Sequence, residues 1–203
     1  MKKPPHRPRL ALAESLAKKL LRRERIMEPP VPVKELLEQF AIVHPFDHQA
    51  EPSFCLEHDL IWEVFINPNL SKHSISFIQA HVMGHLLMNH LDYYSAPLTP
   101  AQHQLLNQEA DHFANSLLIP ELWLHAVCEK NHLNESVAAC LSGVFHVTTT
   151  TMKNRLRHLG IRCGCDFHNW RRLYETTRLH GADDHSHSLT TPTHNANDDY
   201  CRH

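Results

Sequence analysis

The chain has 203 residues, 42% of them hydrophobic, and sets 22 acidic side chains against 20 Lys and Arg for a formal net charge of -2. That is enough apolar content for one domain with an appendage. No run of about 18 apolar residues exists to cross a membrane, and the basic, proline-rich start lacks a signal peptide's apolar region, so a cytoplasmic location is expected.

Leu10 to Arg23 reads as an amphipathic helix, leucines and alanines on one face and lysines and arginines on the other. Glu28-Pro-Pro-Val-Pro ends it, and Val33 to Phe40 follows as a short second helix. Ala41-Ile-Val-His, Phe54 to His58 and Ile61 to Ile66 read as strands around a turn at His58-Asp59. Ser71 to Tyr94 and Pro100 to Leu118 are two longer helices, the second capped by Thr99 and opened by Pro100. Pro120 stops that helix and opens another through Glu129. Glu135 to Phe145, a His146-Val147 turn and a Thr148-capped helix make a helix-turn-helix-like pair whose last helix carries Lys153, Arg155 and Arg157, candidates for contact with nucleic acid. Trp170, Leu173 and Tyr174 suggest a helical extension over 163–180, and the polar stretch 181–203 is expected to be disordered. The fold class expected is α+β, mostly helical with a small sheet.

Six cysteines at positions 55, 128, 140, 163, 165 and 201 lack the spacing of a zinc ribbon or disulfide scaffold and are expected to be reduced. Cys163-Gly-Cys165 is closer than the usual gap between paired ligands. His185-Ser-His187 in the tail can take up stray metal. The charge of -2 neither selects nor excludes nucleic acid, but 20 histidines turn the chain cationic below neutral pH.

The histidines also carry the clearest chemistry. With so many, chance alone yields about two H-x-x-x-H pairs. The chain has two, and Pro45 interrupts the one at His44 and His48. The other, His81 and His85, lies among Phe77, Ile78, Ala80, Leu87 and Met88 in a long helical run. Four residues apart on a helix, both rings share a face and can reach one zinc ion. Glu109 sits on the edge of the next helix's apolar stripe, where a buried carboxylate needs a cation, and is the candidate third ligand. Two residues of helical rotation turn Asp111 roughly 160° from Glu109, whereas His112 lies about 60° off and is expected near the same site. Gly84, costly inside a helix, implies that another backbone passes close by, the Glu109 helix being the natural neighbour.

The run Phe77-Ile-Gln-Ala-His-Val-Met-Gly-His85 resembles the F-x-x-A-H-E-x-G-H core of the ImmA/IrrE family of zinc metallopeptidases. Gln108 to Pro120 is similar to that family's E-A-N-x-F-A-x-x-L-L-x-P motif. Ile61-Trp-Glu-Val-Phe-Ile-Asn-Pro resembles its strand before the catalytic helix, and Met152 to Ile161 its closing R-L-x-x-L-G segment, so the likeness spans residues 8 to 162. It implies a gluzincin-like site with Zn2+ held by His81, His85 and Glu109. It also implies a zincin-like domain over 1–132, with the helix-turn-helix-like segment 133–162 packed on it. The family's general-base glutamate is Val82 here, and the asparagine after E-A is Asp111.

General-base assistance is worth about 10² to 10⁴ in rate, so hydrolysis is expected to be weak or lost unless His112, Tyr93, Tyr94 or Glu63 substitutes, and Val82→Glu should restore it. Two functions follow. One is a metallopeptidase-like protein that acts on or binds a regulatory partner such as a helix-turn-helix repressor. The other is a non-catalytic, zinc-stabilised regulator that binds a protein or DNA.

Overall fold

Helix α1, Leu10–Arg23, buries Ala13, Ala17, Leu20 and Leu21, the spacing of one helical face. It packs along α4, Pro100–Leu118, where Ala110 and Ala114 are also fully buried. Short side chains on both helices let the two backbones approach. The computed structural model describes residues 4–46, 53–58, 61–93, 97–127 and 135–161. Tyr94, the 163–180 extension with its two cysteines and the 181–203 tail lie outside the described residues.

Along the chain, α1 is followed by α2, Val33–Leu37, and a three-stranded sheet. The sheet is made of β1, Ala41–Pro45, β2, Ser53–His58, and β3, Ile61–Ile66, in the order β1-β3-β2. β3 runs parallel to β1 and antiparallel to β2, which makes it the central strand and buries Val64 and Ile66. The second helix is shorter than its apolar spacing predicts. The backbone leaves the helix after Leu37 and enters β1 at Ala41.

Helix α3, Lys72–Leu87, starts at Ser71, whose hydroxyl accepts a hydrogen bond from the Ser74 amide. It was expected to continue to Tyr94. Instead Asn89 takes a left-handed conformation, with φ of 54°, and His90–Tyr93 turns back as a 3-10 helix. α4 opens on a full capping box between Thr99 and Gln102. Helices α5, Glu121–Val127, α6, Glu135–Phe145, and α7, Thr149–His158, complete the described chain.

α6 and α7 pack as a pair, and one hydrophobic cluster joins their Leu141, Phe145, Met152 and Leu156 to the core of α1, α3 and α4. At the centre α3 lies against α4 with Gly84 at the contact. A Cβ built on Gly84 would stand 3.1 Å from the Ala110 Cα, 3.2 Å from the Ala110 carbonyl oxygen and 3.2 Å from the Phe113 Cβ. Two of those neighbours are backbone, so a methyl group has nowhere to go without separating the helices. Gly84→Ala gains helix propensity of up to about 1 kcal/mol but forces an overpacking cost of about 1–3 kcal/mol. The net expectation is a loss of stability, read as a lower urea midpoint at unchanged m-value; a rise in midpoint would show that the two helices do not touch there.

Candidate metal centre

Ala110 sits at the α3 contact, and its two neighbours leave α4 about 100° to either side. Glu109 and Asp111 therefore flank the contact line, one on each side. Asp111, half exposed, reaches His81, its Oδ1 lying 2.7 Å from Nδ1. Glu109, fully buried, lies on the flank where the His90 turn folds back, its Oε2 lying 2.8 Å from His90 Nε2. Rotation measured from Glu109 alone predicts His112, and not Asp111, near the site. The contact is centred on Ala110, so the assignment is reversed. His112 faces α1 and α7, its Nε2 3.9 Å from Glu14 and its ring 5.1 Å from that of His158.

The three histidines form a row between those carboxylates. His81 Nε2 lies 3.0 Å from His85 Nε2, and His85 Nδ1 lies 3.1 Å from His90 Nδ1. Four contacts from Asp111 to Glu109 each need one hydrogen, and three neutral imidazoles supply three. The row is thus short by one positive charge, a proton or another cation. His85 does not supply the proton. Burial first, and then the neighbouring His81 and His90, push its pKa from 6.5 down to about 3.

The far end of the row is held by Arg9, the residue before α1. Its backbone N–H donates to Glu109 Oε1 at 2.6 Å, Nε lies 3.0 Å from Oε1 and 3.2 Å from Oε2, and Nη2 donates to Oε2 at 2.7 Å. Burial works to raise the Glu109 pKa, but the Arg9 and His90 hydrogen bonds outweigh it and keep the carboxyl below its usual range. Glu109 in turn holds the Arg9 guanidinium above its ordinary value.

The zinc that the resemblance implies meets only part of what it needs. His81 and His85 fit, because two Zn–N bonds of about 2.0–2.1 Å span a 3.0 Å gap. Glu109 does not fit as third donor. Both of its oxygens are engaged by Arg9 and His90, and among the described residues no three His, Cys, Asp or Glu side chains converge as a metal-holding group.

The suggested substitutes for the missing base are dispersed. Val82 itself is in the core at 3% exposure. Glu63 stands 3.4 Å from His44 on the sheet, His112 faces away as described, and Tyr93 lies beside Arg9. On α7 the basic face is smaller than its sequence suggests. Arg155 is buried and donates from Nε to the Ile119 carbonyl at 3.1 Å, tying α7 to the end of α4, so it is not available to read a base. Arg157 remains exposed, bonded to Asn154. Two residues of the centre, His90 and Arg9, escaped sequence reasoning. Asn89, a favoured left-handed residue five positions before the α3 pattern was expected to end, is the signal that could have found His90. Arg9 has no such signal, since its contact with Glu109 closes a separation of 100 residues.

The buried imidazoles set a pH dependence. An unfolded His85 takes up a proton near 6.5, whereas the folded one does so only near 3. Its stability contribution is therefore complete above about pH 6.5 and falls by up to about 1.4 kcal/mol per pH unit below it. His90 and His112, both lowered chiefly by burial, act in the same direction. Urea midpoints should fall steadily from pH 7 to pH 4, with a shallower slope in His85→Asn; a flat profile in the parent chain would contradict a neutral, buried His85.

The IrrE N-terminal-like domain family matches residues 39–157, more than half of the chain, from just before β1 to the last turn of α7. Among solved structures, a Mycobacterium tuberculosis transcriptional regulator is similar with a TM-score of 0.51 and 18% identity, over 71% of this chain and 55% of that chain. At that identity the likeness is one of fold, and the chain spans about half the length of that regulator. No curated protein matches the chain. With its histidine pair on α3 and its matched segment running through the α6–α7 pair, the chain belongs to the IrrE N-terminal-like domain family.

Proposed function

We propose that this chain acts in the cytoplasm by binding a regulatory protein, of the helix-turn-helix repressor kind, and does not cleave it at an appreciable rate. The observation that carries this reading is Val82, an aliphatic side chain in the core where a peptidase of this family needs a carboxylate. Hydrolysis of a peptide needs a group to take the proton of the attacking water. Val82 cannot accept one, and Glu63, His112 and Tyr93 stand beside His44, Glu14 and Arg9 and not beside the His81–His85 pair. Family membership and the likeness to a transcriptional regulator support a regulatory setting.

What remains at the site is recognition. The His81–Asp111 pair lies at the partly exposed end of the row, where a carboxylate fixes the ring's orientation. The half-exposed Asp111 carboxylate there can accept from a peptide amide without breaking the backbone. DNA binding through α7 is the weaker reading, because burying Arg155 removes the middle of its three cationic residues.

The test is to incubate the full chain with a helix-turn-helix repressor and follow both co-elution and fragmentation. Co-elution with the repressor intact is expected. Fragments that disappear in His81→Ala would overturn the reading. The motif alone predicts that Val82→Glu restores hydrolysis; with Glu109 held by Arg9, the variant should instead lower the melting temperature and leave the repressor uncut, and a gain of cleavage would show that the general base was the only part lacking.

A further inference from the structure

Glu109 is fully buried, and the cation beside it is a side chain. Arg9 grips the carboxylate with its guanidinium on both oxygens and with its own backbone amide. Nor is this grip a loose end lying on the surface. Arg9 is the N-cap of α1, and its carbonyl accepts from the Leu12 and Ala13 amides. α1 is fixed on α4 through fully buried Ala13 and Ala17. Both Arg9 and α1 precede the family-matched segment 39–157, so the cation at Glu109 comes from a part of the chain outside that match.

We propose that Arg9 takes the place of a metal ion at Glu109. Its guanidinium neutralises the buried carboxylate and holds it off the His81–His85 pair, so the fold does not depend on a bound metal and zinc meets only two ring nitrogens. Geometry supports the exchange. A planar guanidinium matches a carboxylate's two oxygens, and with the Arg9 amide, Nε and Nη2 and the His90 ring all on them, the four lone-pair sites a metal would use are taken. His90 closes the arrangement from the other side, 2.8 Å from Oε2. This inference goes beyond the binding function proposed above and does not rest on whether peptides are cut.

The experiment uses the full chain, dialysed against chelator and then titrated with Zn2+, with metal content, zinc affinity by chelator competition and melting temperature as readouts. Because His185 and His187 can also take zinc, a His81→Ala/His85→Ala chain with the same tail serves as the blank. The parent chain should hold no stoichiometric zinc above that blank and should melt at the same temperature with or without chelator. Arg9→Met, which keeps the aliphatic stem, should melt roughly 6–20 °C lower without metal and recover part of that loss with zinc. It should also bind zinc tighter than the parent by on the order of tenfold or more.

Stoichiometric, chelator-sensitive zinc in the parent chain would overturn the inference, as would an Arg9→Met chain whose zinc affinity is unchanged. If Arg9→Met fails to fold, Arg9→Lys keeps the charge but loses the fork and should show the same gain in zinc affinity at smaller size. The parent measurement decides in either case. Cleavage of a partner would count against the binding function alone.

Discussion

A carboxylate with no access to water must be neutralised, and the centre of this protein is arranged around meeting that demand at Glu109. Left alone, a buried charge shifts its pKa or destabilises the fold, and removing one partner of a buried pair costs about 3–5 kcal/mol. Arg9 supplies the charge, and His90 occupies the remaining lone pair. From that pairing follow the position of the start of α1, the fold-back of the chain after Leu87 and the separation of Glu109 from the two histidines of α3. The same constraint that suits a metal ligand can be met by an arginine.

The α3–α4 contact explains why two acidic residues only two positions apart have different surroundings. Gly84 brings α3 onto Ala110 so closely that the residues beside Ala110 must leave on opposite flanks. Glu109 enters the dry side with Arg9 and His90, and Asp111 stays half exposed beside His81. The row of histidines between them passes from surface to interior, and His85 at its middle is held neutral by burial. A buried aliphatic residue at position 82 fits that setting, since the core already extends to the first turn of the histidine pair.

Much of the architecture was legible from local chemistry. Thr99 and Thr148 as caps, the strands at 41 and 61, the α6–α7 pair and the close approach at Gly84 all follow from signals within a few residues. Leu87, Met88 and the tyrosines continue an apolar pattern past the left-handed turn at Asn89, so the pattern predicts a longer α3 than the fold contains. A cationic residue on a short helix is usually exposed, and Arg155 is buried instead. Its burial depends on the Ile119 carbonyl, left without a helical partner at the end of α4.

Taken by itself, the sequence determined the elements, the shared face of His81 and His85, the aliphatic residue between them and the need for a cation at Glu109. Those are matters of period, capping and burial cost, all set by near neighbours along the chain. Which cation answers that need was decided only in three dimensions. Arg9 stands 100 residues away and is brought to Glu109 by the packing of α1 on α4, while the Ala110 contact sends Asp111 to the ring that Glu109 was expected to share. Helical rotation gives the angle between two side chains but not the line from which a neighbouring helix makes it count.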